Sequence, residues 1–246
     1  MDFLLTNDDG INSLGISYLK KYLANIGKVT IVAPDRERSA TSHALSLNHP
    51  IRVKKISKDT YITDGTPADC VNIALSEIFK TPPDFVISGI NPNPNLGDDI
   101  TYSGTVAAAM EGTLFSIPSI AVSTSNGNKS QYESAAKVVL ETISFVKEVG
   151  LSKDTLLNIN VPNHPKGIVI TKLARESTRG KIIKRVDPRG NKYLWIGNKT
   201  PIFKDTPDTD IKAFFDHLVS ITPLSLDLTN HHFISILRDY HWNLNW

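Results

Sequence analysis

The stretch FLLTNDDGINSLGISYLKKYLANIGKVTIVA, residues 3–33, indicates the fold of this 246-residue chain. It opens with a short apolar run that stops at polar residues, as a buried strand does where it leaves a sheet. Apolar residues then recur at three- and four-residue intervals from Leu14 to Ile26, the spacing of an amphipathic helix, and Gly27 is a typical C-terminal stop. A second apolar run, Val29 to Ala33, completes a βαβ unit whose crossover should be right-handed.

The same alternation of strands and helices continues as far as Pro165. Thr66 and Pro67 favour a helix start, because Thr can cap the first turn and Pro suits the first helical position. The further predicted elements are strands at 85–87, 117–122 and 156–161 and helices at 103–115 and 130–149. Such alternation predicts a mostly parallel sheet covered by helices, so we expect an α/β domain over residues 1–165.

The chain after residue 165 has a different character. Nine Lys and Arg side chains and two acidic ones fall within residues 166–192, a local charge of +7 in a chain of net charge +2. Short β-type runs separated by the turn DPRG at 187–190 predict a basic hairpin over roughly 178–197. A final strand and a terminal helix should return to the core. We therefore expect a second, smaller unit at residues 166–246.

Composition excludes several classes of protein. Apolar residues make up 40% and charged residues 21% of the chain, which does not suit a disordered or fibrous protein. The near-neutral balance gives no global reason to expect nucleic-acid binding, and no apolar run approaches the ~18 residues of a membrane span. The single Cys70 excludes a disulfide framework, and the start MDFLLTNDDG lacks the basic region of a signal peptide. We expect a cytoplasmic protein with no nucleic-acid or membrane partner.

Adjacent carboxylates follow the first predicted strand, at the sheet edge where open α/β folds bind ligands. They belong to the turn Asn7-Asp8-Asp9-Gly10, in which Gly10 lets the chain bend so that both can converge. Two carboxylates ~4 Å apart repel by about 4 kcal/mol at an effective dielectric constant of 20, and a divalent cation removes that repulsion. Because the candidate ligands are hard oxygens, Mg²⁺ or Mn²⁺ is expected. The alternative is a solvated turn, since these residue types are common in turns.

Two further loops at this edge offer groups for an anion. Residues 33–42 carry arginines and hydroxyls, although taken alone they are better explained as a solvated polar loop. Residues 88–105 lead into a helix that starts at Ser103-Gly104-Thr105, where free backbone N–H groups and hydroxyls suit a phosphate. A plain N-cap at Ser103 is the alternative, and the two roles can coexist. No Walker or G-x-G-x-x-G loop is present, so metal-assisted hydrolysis is the simplest interpretation.

Several motifs resemble the SurE family, stationary-phase survival proteins that are metal-dependent 5′/3′-nucleotidases. They are LLTNDDG at 4–10, APDRxRS at 33–39, DGTPADCV at 64–71 and SGIN…NLGDD…YSGTVAAAMEG within 88–112. DPRGN, WIG and VSITPL in the C-terminal third also match. The motifs keep their order over nearly the whole chain.

This resemblance implies a Rossmann-like three-layer sandwich and a smaller β-hairpin extension exchanged between the subunits of a homodimer or homotetramer. It implies one divalent ion per subunit, Mg²⁺ or Mn²⁺ with Ca²⁺ as a substitute in crystals. The metal ligands would be Asp8, Asp9, Ser39 and Asn91. The phosphate pocket would be lined by Asn95, Ser103, Gly104 and Thr105. The implied reaction is hydrolysis of nucleoside 5′-monophosphates, in some members also of 3′-monophosphates and short polyphosphate, with Asp8 or Asp9 as the base.

Some positions depart from the family pattern or stay outside the expected site. The family usually has Gly at the positions of Asn93 and Ala40, and Asn is the non-glycine residue that best tolerates a positive φ. His43 follows the Ser39 loop, but the sequence shows no partner for it. The pair Asp98-Asp99 is interpreted as the brace of a turn rather than a second metal pair.

Two hypotheses from other classes remain open. One is a nucleotide or phosphate sensor that uses the same pocket without catalysis. The other is a nucleic-acid-binding module that uses the basic hairpin, whose affinity would fall steeply with salt. The acidic remainder of the chain makes the second the weakest of the three.

Overall fold

The computed structural model describes residues 1–175, 181–197, 206–240 and 242. The strands are β1 Asp2–Thr6, β2 Lys28–Pro34, β3 Val53–Ser57, β4 Thr60–Thr63, β5 Phe85–Asn91, β6 Ser119–Thr124, β7 Thr155–Val161, β8 Ile168–Ile170, β9 Ile182–Val186, β10 Lys192–Ile196 and β11 Val219–Ser225. The α-helices are α1 Leu14–Leu23, α2 Pro67–Ile73, α3 Gly104–Leu114, α4 Lys129–Val149, α5 Asp210–Phe215 and α6 His231–Asp239. A π-helical turn, Ala74–Ile78, extends α2, and a 3₁₀ turn, Gly97–Tyr102, precedes α3.

Nine strands form one sheet in the order β3-β4-β2-β1-β5-β6-β7-β11-β8. The six strands from β4 to β7 in this order are mutually parallel, while β3 and β11 each pair antiparallel with a neighbour. β1, β2 and β5 lie side by side, so the loops that follow them meet at one edge. This is the mostly parallel α/β sheet predicted from the sequence.

Helices cover both faces of the sheet and make it a three-layer sandwich. Phe3 and Leu5 of β1 belong to a buried cluster with α1 and α4, whereas Leu4 between them belongs to a cluster with Val71 of α2 and Ala108 of α3. Successive side chains of a strand point to opposite faces, so an apolar run can fill both layers. The first apolar run of the chain therefore forms a central strand.

The helix start expected at Thr66 and Pro67 is present in α2. The Thr66 hydroxyl accepts a hydrogen bond from the backbone N–H of Asp69, and the Asp69 carboxylate accepts one from the backbone N–H of Thr66. This reciprocal capping box satisfies two N–H groups that a helix start otherwise leaves without partners. It defines the first turn of α2, which packs beside α3 through Val71 and Ala108.

The C-terminal part of the chain contributes to two sheets. β8 and β11 extend the main sheet, whereas β9 and β10 pair with each other as a separate antiparallel hairpin around the turn at Asp187. The predicted hairpin is confirmed at residues 182–196, and residues 178–180 of the predicted span lie outside the described part. The division of the chain at residue 165 stays a prediction. Within the described residues, no helix combines the length and apolar character needed to span a bilayer.

A buried carboxylate joins this C-terminal part to the loop that follows β5. Asp210, at the start of α5, is fully buried and accepts hydrogen bonds from the backbone N–H groups of Gly97, Ala174 and Ile211. Gly97 has a φ of 52°, and an added Cβ there would lie 3.0 Å from the carbonyl oxygen of Ala174. The loop between β5 and α3 is thereby held against α5.

Replacing Asp210 with Ala should lower the free energy of unfolding by about 3 kcal/mol, because three buried N–H groups lose their acceptor. Denaturant unfolding followed by circular dichroism measures this loss. The matched control is Asp216→Ala on the same helix, which removes an exposed ion pair to Lys212 and should cost less than about 1 kcal/mol. Equal unfolding midpoints for Asp210→Ala and the unaltered chain would show that this carboxylate does not hold the loop.

Candidate metal and phosphate site

A tight turn places the two adjacent carboxylates at the carboxyl edge of the sheet. The buried side chain of Asn7 donates to the carbonyl oxygen of Gly10 and to the Ser13 hydroxyl. Gly10 has a φ of 88°, and an added Cβ would lie 2.9 Å from the carbonyl carbon of Arg36. The turn is thus packed directly on the loop that follows β2.

Asp8 lies between the start of α3 and the loop after β2. The side chain is 5% exposed, and its Oδ1 accepts a hydrogen bond of 2.6 Å from the Thr105 hydroxyl. The backbone oxygen of Asp8 accepts a bond of 2.7 Å from the backbone N–H of Arg38. A Cβ added to Gly104 would lie 2.8 Å from the Cβ of Asp8, so the first turn of α3 fits closely over this carboxylate.

Burial and neighbouring negative charges disfavour the ionised forms of Asp8 and Asp9, a cost that a bound cation would offset. Burial, followed by the charges of Asp8 and Glu37, raises the pKa of Asp9 to about 7. Burial also raises the pKa of Asp8, against the hydrogen bonds from Thr105 that lower it. Asp9 Oδ2 is buried and has no hydrogen-bond partner. An unpartnered carboxylate oxygen beside a second carboxylate is a fit for a divalent ion.

Ser39 lies in the loop after β2, close to a third carboxylate. It is exposed, and its hydroxyl donates a hydrogen bond of 2.6 Å to Glu37 Oε1. The oxygen of a hydroxyl that donates in this way keeps its lone pairs for a metal ion. The charge of Glu37 acts on both Asp8 and Asp9, and no sequence pattern pointed to this residue.

The backbone of this loop is constrained at Ala40. Its φ is 56°, in the left-handed region that favours glycine. The departure from the family pattern therefore places a strained Ala beside the site. Asn93, the other departure, is not among the described residues with positive φ. The ability of Asn to adopt the left-handed region is therefore not needed at this position.

Asn91 and Asn95 lie in the loop after β5. Asn91 is the last residue of β5. Its Nδ2 donates to the backbone oxygen of Asn93, and this bond does not use the side-chain oxygen of Asn91. Asn95 is buried over the ends of β6 and β7: its side-chain Nδ2 donates to the Ser123 hydroxyl, and its backbone N–H donates to Asn160 Oδ1. The structure thus holds Asn95 over β6 and β7. Asp8 follows β1, which is separated from β6 by β5.

α3 begins at the three residues predicted to bind phosphate. The Ser103 hydroxyl accepts a hydrogen bond from the backbone N–H of Val106, which makes Ser103 the N-cap of the helix. Thr105 uses its hydroxyl on Asp8. Gly104 is buried against Asp8, where a side chain would not fit, and the N-terminus of a helix attracts anions. The N-cap expected at Ser103 is present, and the anion site at this helix start stays a prediction.

Several groups around the site escaped sequence reasoning. Asn158 and Asn160 of β7 are fully buried and both donate to the backbone oxygen of Asn95. Two asparagines on one face of an otherwise apolar strand are a sequence pattern that could have indicated this hydrogen-bond network. His43 contacts Glu111, a partner 68 residues away that no local pattern reveals. Among the described residues, no three His, Cys, Asp or Glu side chains group around a metal position, so any ion would also need Ser or Asn oxygens.

The raised pKa of Asp9 predicts how the stability of the metal-free protein depends on pH. The folded pKa of about 7 lies above the unfolded value of 3.8, so the ionised carboxylate destabilises the fold, increasingly from pH ~4 to ~7. Asp9→Asn should therefore raise the free energy of unfolding at pH 8 by about 2 kcal/mol, allowing for solvent screening, and by less at pH 5. Denaturant unfolding in EDTA at both pH values measures the difference. A gain of equal size at pH 5 and pH 8 would contradict a buried, ionised Asp9.

Comparison with known proteins identifies relatives over the whole chain. A family model described as "Survival protein SurE" matches residues 3–180. A "5'-nucleotidase SurE" of Geobacter sulfurreducens is 48% identical over 250 residues, which cover 100% of this chain and 95% of the relative. That of Geobacter metallireducens is 48% identical over 245 residues, covering 98% and 97%. The crystal structure of a SurE protein from Aquifex aeolicus superposes with a TM-score of 0.85 at 42% identity, covering 97% of this chain and 100% of that one.

Proposed function

This chain belongs to the SurE family, and from that premise we propose that it is a divalent-metal-dependent nucleotidase that hydrolyses nucleoside 5′-monophosphates to nucleoside and phosphate. The observation that carries the proposal is the placement of Asp8 and Asp9. Both carboxylates have raised pKa values, one buried oxygen of Asp9 has no partner, and the N-terminus of α3 lies against Asp8. Such a site suits a cation and a phosphate together.

The proposed metal ligands are carboxylate, hydroxyl and amide oxygens, the set that Mg²⁺ and Mn²⁺ prefer. They are Asp8, Asp9, Ser39 and Asn91. Ser39 donates its hydroxyl hydrogen to Glu37, which orients the hydroxyl. The lone pairs of the hydroxyl oxygen remain available for a metal ion. When bound, the ion supplies Lewis-acid chemistry at a phosphate oxygen and lowers the pKa of a water molecule.

The proposed phosphate-binding groups lie at the start of α3 and in the loop before it. They are Asn95, Ser103, Gly104 and Thr105. The positive end of the α3 dipole favours the phosphoryl oxygens as their charge grows in the transition state. The buried side chains of Asn158 and Asn160 both donate to the backbone oxygen of Asn95 and so hold its backbone in place beside the proposed site.

Either carboxylate can take the proton from the attacking water. Asp8 Oδ1 already accepts a hydrogen bond from Thr105, whereas Asp9 Oδ2 has no partner. This difference favours Asp9 as the base.

We also propose that the protein is a homodimer or homotetramer that assembles through its C-terminal part. The hairpin exposes Leu194, Trp195 and Ile196 by 61–80%, and none of the residues of α6 is buried. Exposed apolar groups on a basic hairpin suit burial against a second copy, with the remaining charge available to attract anionic substrates. Light scattering should give a mass of two or four chains, and a mass of 27.1 kDa would contradict assembly.

Phosphate release tests the proposed function. The panel contains 5′-AMP, 3′-AMP and short polyphosphate, each with Mg²⁺, Mn²⁺, Ca²⁺ or EDTA. We expect release from 5′-AMP with Mg²⁺ or Mn²⁺ and none in EDTA; the 3′-AMP and polyphosphate arms decide the breadth of the substrate range. Binding of AMP without release under any condition would favour a sensor over an enzyme.

A further inference from the structure

A buried carboxylate outside the proposed site binds the loop that carries Ser39. Glu111 of α3 is 4% exposed, and its Oε2 lies 2.7 Å from Nε2 of His43. Its other oxygen accepts a hydrogen bond of 2.9 Å from Nδ2 of Asn72 on α2. Both oxygens are therefore engaged, and these contacts hold the pKa of Glu111 below its usual range. Burying a carboxylate is costly unless it is paired, and His43 and Asn72 are the partners that Glu111 has in the structure.

A second buried carboxylate binds the same loop a few residues later. Asp69 of α2 accepts a hydrogen bond from the backbone N–H of Ser46, and the Thr66 hydroxyl donates to the backbone oxygen of Ala44. The segment from His43 to Ser46 is thus tied to α2 and α3 by side chains from both helices. We call this segment, with Glu111, Asp69 and Thr66, the loop anchor.

The three residues between the candidate ligand Ser39 and His43 include two in a strained conformation. Ala40 and Ser42 have φ values of 56° and 54°, in the left-handed region that costs energy for residues with a side chain. Such a conformation persists only where contacts on both sides impose it. On one side the backbone N–H of Arg38 donates to Asp8, and on the other lies the loop anchor.

Geometry separates His43 from the reacting groups. Glu111 is seven residues after Gly104 in the same helix, which corresponds to about 10 Å along its axis. The imidazole is thus held by a residue about two helical turns beyond the helix N-terminus where the phosphate is proposed to bind. The contact that His43 makes in the structure ties down the loop that carries Ser39, so we assign it a role through that loop.

We propose that His43 and Glu111 are positioning residues that hold the Ser39 loop in the shape that lets Ser39 bind the metal ion. This inference rests on the proposed function for the identity of Ser39 as a ligand. It assigns a role to the contact between His43 and Glu111, which the proposed chemistry does not use. Without the pair, the loop relaxes from its left-handed conformation and Ser39 leaves the ion.

The test is the binding of Mn²⁺ in the absence of substrate, measured from the electron paramagnetic resonance signal of the free ion. His43→Ala should weaken the affinity for Mn²⁺ by about 10-fold, while His43→Gln, which keeps a donor for Glu111, should restore most of it. The matched control is His49→Ala, an exposed histidine farther along the chain that should leave the affinity unchanged. Thermal unfolding of each variant establishes that it is folded.

A double-mutant cycle distinguishes positioning of Ser39 from a general loss of stability. In a Ser39→Ala background, His43→Ala should cause no further loss of affinity, because the ligand it positions is gone. An unchanged affinity in the single variant, or the same 10-fold loss in both backgrounds, would overturn the role of the anchor while leaving the metal site in place. If the unaltered protein does not bind Mn²⁺, the proposed function fails as well.

Discussion

Asp9→Asn should lower the rate of metal-dependent phosphate release from 5′-AMP by on the order of 10³-fold while the chain stays folded. The substitution keeps the size of the side chain but removes the charge that, with Asp8, would hold the ion. It also removes the proposed proton acceptor, whose free oxygen is buried at the sheet edge. Because the raised pKa shows that this charge destabilises the fold without a metal, the loss of activity should come with a gain in stability at pH 8.

Steady-state phosphate release with saturating Mn²⁺ measures this effect, and denaturant unfolding accompanies it. Asp98→Asn is the matched control, because it changes one member of the other adjacent pair of aspartates in the chain. We expect the control to keep its activity within about 3-fold of the unaltered protein. An Asp9→Asn variant with full activity would sink the proposed site, as would an Asp98→Asn variant that loses as much.

Gly104→Ala should lower the same rate by on the order of 10²-fold, against the general preference of helices for Ala over Gly. The added methyl would lie 2.8 Å from the Cβ of Asp8, 3.1 Å from its Oδ2 and 3.2 Å from the ring of Pro67. A backbone-anchored methyl cannot rotate away, so Asp8 must move or the helix start must shift. Either movement displaces a proposed metal ligand and narrows the approach of the phosphate.

The kinetic measurement for this variant includes the dependence of the rate on Mn²⁺ concentration, since a displaced Asp8 should also raise the concentration needed for half-maximal activity. The matched control is Gly167→Ala, where the nearest atom to an added Cβ is a Leu218 methyl at an ordinary 3.5 Å. Activity of Gly104→Ala within 3-fold of the unaltered chain would mean that the start of α3 is not the phosphate site.

The fold could be predicted where local patterns decide the structure. The apolar run of β1, the periodicity of α1 and the cap at Thr66 are each readable from fewer than 15 residues, and each is present. The hairpin of β3 and β4 was missed because every residue of Val53–Ser57 is exposed, so the strand shows no alternation of apolar and polar side chains. Its pairing depends on β4, which in turn depends on the main sheet.

The candidate site could be predicted only in part, for a related reason. Asp8 and Asp9 stand out because they follow a buried strand directly, and the N-terminus of α3 stands out because of its small residues. The contact between His43 and Glu111 and the network around Asn95 join residues more than 60 positions apart. Sequence spacing carries no signal for such pairs, and only the order of the strands and the packing of α2 on α3 bring them together.

The net charge of the whole chain does not describe the local charge at the candidate site. The net charge of +2 gave no reason to expect an anionic partner. At the sheet edge, however, Asp8 and Asp9 adjoin, and the charge of Glu37 acts on both. These negative charges repel phosphate on their own. With a divalent ion in place, Asp8 and Asp9 would instead form a site for a small phosphate ester, which is why the metal is central to the proposed function.

The most direct test of this account is the position of Mn²⁺ in crystals of the protein, located by its anomalous scattering. The account predicts one strong peak per chain, with oxygen atoms of Asp8, Asp9, Ser39 and Asn91 within about 2.5 Å. A peak bound by other residues, or no peak in a protein that releases phosphate equally well in EDTA, would contradict it.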